Sequence, residues 1–249
     1  MPQGRGSGAG MGPIVYGEEV ASGPWRLRRN GVSRIEFRDN VMRLCMGPTE
    51  ALYYSNAEVS DGGFDNLPHS GGVLEVNARI TRMHYGSAGW GFWNYSMRID
   101  ESYPVWFIYL YTPGPYLLKG FFAQTGSLFT PITLYHRGGY EKLYYGFIAL
   151  LSRLGLRVVP IRIYPRNPVL PGFDVTTPHN YRIEWRQGTA RYYIDGRLVA
   201  EHRARQLQSR VDIWIDNAVY EPRRGDPARV YRHVTMENRA ETCIEIIGL

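Results

Sequence analysis

The sequence predicts an all-β fold, and three observations carry that prediction. Strand-favouring aromatics are abundant, with 19 Tyr, 6 Trp and 9 Phe in 249 residues. Glycine and proline (28 and 16) interrupt the chain every several residues, as turns require. Between these breaks polar and apolar residues alternate with period two, whereas helical spacing is rare. The length suits one large all-β domain or two small ones, and sandwiches of this size commonly form a single domain. We read residues 1–24 as a flexible, glycine-rich arm and residues 25–249 as one domain.

The elements follow in order. Segments 25–37 and 41–46 open the sheets, and the turn-rich 61–68 leads into a strand over 72–81. In that strand Leu74, Val76, Ala78 and Ile80 share one face, and Glu75, Asn77 and Arg79 the other. Residues 86–91 read as a turn into 92–99, and 105–111 is an aromatic strand bounded by prolines. Phe147, Leu150, Leu151 and Leu154 have helical spacing, so one short helix is expected over 144–156, with buried strands as the alternative. Four prolines make 165–178 an extended surface loop. In 179–201, HNYRIEWRQGTARYYIDGRLVAE, two alternating strands flank Gln187-Gly188, and Asp195-Gly196 supplies the φ > 0 pair of a type I′ hairpin. Segments 211–217 and 243–247 close the domain.

That stretch, with its H-x-Y-x-I-x-W strand followed by D-G-x-L-V, resembles the late strands of the concanavalin A-like lectin/glucanase superfamily, above all the laminarinase-type (glycoside hydrolase family 16-like) domains. Residues 72–80 (GVLEVNARI) are similar to the family's G-x-[YF]-E-x-R-[IV] cleft strand, with the arginine two places late. Residues 89–93 (GWGFW) look like G-x-W-P-A-F-W without the proline. Residues 211–217 resemble the strand after the hairpin, and 243–246 the terminal V-D-Y-V-R-V strand. The resemblance implies a two-sheet antiparallel β-sandwich (jelly roll). It also places the first and last strands side by side, which would make Cys45 and Cys243 neighbours. A disulfide there is one expectation, two buried thiols the other.

The same resemblance exposes a departure. Laminarinase-type enzymes carry E-x-D-x-E shortly after the W-x-x-F-W segment, but the corresponding 105–111, VWFIYLY, holds no carboxylate. With no carboxyl group, this strand supplies neither half of the paired-carboxylate mechanism. Glu75, Asp212 and Asp216 are the weak substitute candidates. Asp100-Glu101 sits in a turn and would diverge. An alginate-lyase-like Y-x-K-A-G-x-Y-x-Q strand is faintly echoed by 116–124, out of register by one.

Binding is therefore the leading expectation: a carbohydrate-binding, lectin-like domain that holds a poly- or oligosaccharide in a concave groove. Its lining would be Trp90, Trp93, Trp106 and Trp214 with Glu75, Asn77, Arg79, Asp212 and Asp216. A divergent glycoside hydrolase or polysaccharide lyase is the alternative, and a structural or protein-interaction role the third reading.

The formal charge of +6 comes from 27 arginines against two lysines, Lys119 and Lys142, a bias that suggests a GC-rich, thermophilic source. The arginines are spread along the chain and no nucleic-acid module is recognisable, so no nucleic-acid partner is expected. No run approaches the ~18 apolar residues of a membrane span, and no signal-peptide pattern opens the chain, which makes a cytoplasmic location the default. No cofactor is implied. Calcium is common in the superfamily, but only Asp61 and Asp65 form a weak pair here.

Overall fold

The computed structural model describes residues 20–22, 24–49, 53–63, 66–95, 102–113, 120–126, 132–134, 163–164, 174–223 and 226–249. Strands account for all regular structure among them, arranged in two stacked sheets. The nine-stranded sheet runs β1 (Val20–Ser22), β2 (Trp25–Asn30), β5 (Asn56–Ser60), β15 (Arg210–Asp216), β7 (Gly86–Trp93), β8 (Val105–Tyr111), β9 (Gly120–Thr125), β10 (Ile132–Leu134) and β11 (Ile163–Tyr164). Its neighbours are antiparallel except the last pair, β10 and β11. The seven-stranded sheet runs β14 (Arg197–Arg203), β13 (Thr189–Ile194), β12 (His179–Arg186), β6 (Gly72–Ile80), β18 (Thr242–Gly248), β4 (Val41–Met46) and β3 (Ser33–Arg38). A separate ribbon pairs β16 (Ala218–Arg223) with β17 (Asp226–Val234).

Alternation along each strand builds the core. Leu74, Val76, Ala78 and Ile80 of β6 face Ala57, Val59, Ile213 and Ile215 of the other sheet, and all eight are buried. Rings fill the middle: Trp90 packs on Tyr181 at 4.6 Å, and Phe107 stacks on Phe121 at 5.6 Å. Trp185 is fully buried against Phe92.

Both turns of the hairpin region adopt the backbone their sequence demands. Gln187 and Gly188 have φ of 50° and 76°, Asp195 and Gly196 50° and 75°. Asp195 further secures its turn by accepting from the Asn180 N–H and from His179 Nδ1. Strand β4 pairs directly with β18, the last strand of the chain, Cys45 opposite Cys243, and a disulfide joins them with Cα atoms 4.0 Å apart.

One expectation changes. Residues 86–91 belong to strand β7 and are not a turn, because Ala88, Trp90 and Phe92 all find core positions. The 144–156 helix and most of the 165–178 loop fall outside the described residues.

Candidate functional site

The outer face of the nine-stranded sheet carries the chemistry. The residues of β15 that do not enter the core are Arg210, Asp212, Trp214 and Asp216. Pairing fixes what stands beside them. One rung reads Arg28, Glu58, Trp214, Gly89, Ile108, Phe122; the next reads Arg26, Ser60, Asp212, Gly91, Trp106, Gln124.

Glycine is required in the middle of this face. A Cβ on Gly89 would lie 2.5 Å from Trp214 Cη2 and equally close to the Phe107 carbonyl, and one on Gly91 would meet Trp106 Cβ at 2.3 Å. The two bare positions let indoles lie against the backbone. Trp93, Trp106 and Trp214 then form a continuous row, with centroids 5.9 Å apart for the first pair and 4.5 Å for the second. All three are half-buried. Each also donates its Nε1–H within the protein: Trp93 to Ser102 Oγ at 3.0 Å, Trp106 to Gln124 Oε1 at 2.9 Å, and Trp214 to Ser87 Oγ at 3.0 Å. Their polar edges are spoken for, and ring surface is what they offer.

Beside the row lies an ionic cluster. Arg210, fully buried, donates Nη2 to Glu58 Oε1 at 2.6 Å, Nε to Asp212 Oδ2 at 3.0 Å and Nη1 to the Gly62 carbonyl at 3.0 Å. The same Nη2 lies 2.9 Å from Asp212 Oδ1. The two carboxyl groups therefore stand inside the about 5–5.5 Å separation of a retaining glycosidase pair. Burial first, then the Glu58 charge, pushes Asp212 well above the ordinary carboxyl range, with Arg210 opposing. Arg28 donates Nη1 to Glu58 Oε1 at 2.8 Å and to the Tyr95 hydroxyl at 2.7 Å. The Tyr95 ring lies 3.5 Å below the Arg210 guanidinium and 4.7 Å from Trp93. Burial, followed by the Glu58 charge, raises the Tyr95 phenol. Tyr95 adopts φ of 51°, a left-handed conformation that a bulky side chain rarely takes.

The sequence-based site divides under these coordinates. Trp93, Trp106, Trp214, Asp212 and Asp216 share the expected face. Trp90 does not: it is fully buried in the core. Positions 90 and 93 differ by an odd number, so one regular strand cannot present both to the same side. Glu75, Asn77 and Arg79 do point outward, but from the seven-stranded sheet on the far side of the core, where β6 lies between β12 and β18. There Glu75 accepts from Asn180 Nδ2 at 2.9 Å, and Arg79 donates to Glu245 at 2.7 Å. They cannot join Asp212.

Asp212 and Asp216 are both buried and stand in separate clusters. Glu58, Tyr95 and Arg210 were missed. The alternation of Asn56-Ala57-Glu58-Val59-Ser60 is the signal that could have placed Glu58 on a half-buried strand.

Of the weak calcium pair, Asp61 accepts from the Val211 N–H and contacts His69 Nε2 at 2.5 Å, while Asp65 lies outside the described residues. Among the described residues, the one group with metal-compatible spacing is Cys45, Glu241 and Cys243, whose sulfurs are joined to each other. No helix among them is long and apolar enough to cross a membrane.

No family model matches this sequence, and no curated protein does. Solved structures do resemble it. An endo-acting O-glycanase of the human gut microbiota aligns with a TM-score of 0.49 and 12% identity over 92% of each chain. The laminarinase catalytic domain of Thermotoga maritima gives 0.48 and 9%, over 86% of this chain and 77% of that one. A Bacillus licheniformis β-glucanase gives 0.41 and 14%, over 89% and 88%. The likeness concerns the fold alone. Two stacked, almost wholly antiparallel sheets make this chain a β-sandwich.

Proposed function

We propose that this protein binds a poly- or oligosaccharide across the outer face of its nine-stranded sheet. The observation that carries the reading is the row Trp93–Trp106–Trp214, whose N–H groups are satisfied internally and whose ring faces remain. Sugars stack their C–H faces on such rings, and their hydroxyls suit a guanidinium beside them. Arg28 stands on the same rung as Trp214. The test is a glycan array spanning β-glucans and mucin O-glycans, with the Trp106→Ala/Trp214→Ala variant as control. Binding by the parent and not by the variant supports the proposal. Equal signals, or none, defeat it.

A second reading, a divergent hydrolase, draws on the closeness of Glu58 and Asp212, two carboxyl groups held by one guanidinium, and on the burial that pushes Asp212 above the ordinary carboxyl range. Against it, both groups are buried and bonded to Arg210. Release of reducing ends, abolished by Glu58→Gln and by Asp212→Asn, would establish turnover; intact glycan after prolonged incubation would remove it. The lyase variant of this reading has less support, since Gln124 is engaged by Trp106 and by the Gly126 carbonyl.

A further inference from the structure

Trp214 ends the row, and its orientation is set from β7. Gly89 supplies the bare backbone on which the ring lies. Ser87, two residues earlier on the same outer face, accepts the indole Nε1–H at 3.0 Å. A hydroxyl can either donate or accept, and its partner decides which. Here the partner is Asp216, fully buried, whose Oδ1 accepts from Ser87 Oγ at 2.7 Å and from the Ser87 N–H at 3.1 Å. The same Oδ1 takes the Ala218 N–H at 3.1 Å, and Oδ2 takes the Tyr54 hydroxyl at 3.1 Å. The carboxylate thus consumes the serine proton and leaves a lone pair for Trp214.

We propose that Asp216, acting through Ser87, is a positioning residue that holds the Trp214 indole in its ligand-receiving orientation. The proposal rests on the carbohydrate-binding reading and deepens it: Asp216 serves the ligand without touching it. A merely structural Asp216 would stabilise the β15–β16 junction and leave the indole indifferent.

The test uses Ser87→Ala, which removes only the hydroxyl and keeps Asp216 bonded to two backbone N–H groups, together with Trp214→Phe and the double variant. Two measurements are made on the full chain. The first, without ligand, is the exciton couplet of the Trp106–Trp214 pair in circular dichroism, identified by its loss in Trp106→Phe. The second is titration with laminarin. Ser87→Ala should lose the couplet at an almost unchanged melting temperature and bind about tenfold more weakly, the cost of a donor left without its acceptor. In the Trp214→Phe background, which has no indole N–H, Ser87→Ala should change affinity less than about twofold. An unaltered couplet in Ser87→Ala, or the same loss of affinity in both backgrounds, overturns the proposal. If the parent binds no glycan, the binding reading fails by itself, and the couplet still decides whether Ser87 orients the ring.

Discussion

Breaking the Cys45–Cys243 bridge offers the most quantitative test of this fold. The bond closes a loop of 198 residues, nearly the whole domain. In the chain-entropy account, a loop of that length removes enough freedom from the unfolded chain to stabilise the fold by about 5 kcal/mol. The native state should lose little else, because Cys45 and Cys243 remain opposite each other in the β4–β18 ladder and β18 also pairs with β6. The variant Cys45→Ala/Cys243→Ala, unfolded in guanidinium beside the oxidised parent, should therefore lower the midpoint sharply. It should also raise the slope of free energy against denaturant, since an uncrosslinked chain expands further. A loss below about 1 kcal/mol with an unchanged slope would refute the reasoning, as would reductant having no effect on the parent.

Four further outcomes follow from buried groups and close packing. His84 is buried, and that burial pushes it down to about 4 against the opposing pull of the Asp216 charge and of the Ser87 and Asp216 backbone. Its folded value lies below its unfolded one, so the unfolded chain binds the extra proton. Stability should fall by about 3 kcal/mol as pH drops from 6.5 towards 4, a loss that thermal unfolding of His84→Phe should not show. Asp212 has the opposite sign: its raised value means stability declines as pH rises above the ordinary carboxyl range, and Asp212→Asn should flatten that decline in melts across pH 4–9. Arg210→Met should cost about 3–5 kcal/mol in denaturant unfolding, because Glu58 loses a buried partner; adding Glu58→Gln and Asp212→Asn should recover much of it. Gly89→Ala should cost about 1–3 kcal/mol and abolish glycan binding, because its methyl occupies the space of the Trp214 ring; full affinity in that variant would contradict the packing described.

Much of the architecture was readable because local chemistry and fold agree. Asp195-Gly196 requires one turn type and adopts it, and the alternation of 72–80 separates core from surface as observed. Alternation states which face a side chain takes, yet it does not state which sheet the strand joins. Glu75, Asn77 and Arg79 were thus read correctly as outward and assigned to the wrong side of the sandwich. Trp90 failed for another reason: a motif resemblance outweighed strand parity. The ionic cluster stayed hidden because it is assembled from Arg28, Glu58 and Arg210, on three strands, and Tyr95, just past the end of β7, which meet only through long-range pairing. No spacing rule reports on such a meeting. Arg210, one of 27 arginines spread along the chain, is fully buried, and composition does not single it out.

The backbone at Tyr95 has a consequence for anyone hardening this protein against heat. A left-handed φ is comfortable for glycine or asparagine and uncomfortable for an aromatic. Screening for thermal robustness should therefore favour Tyr95→Gly or Tyr95→Asn. Either exchange strips away the plate on which the Arg210 guanidinium rests and the ring that extends the tryptophan row. At this one position backbone relief and support of the indole row pull in opposite directions.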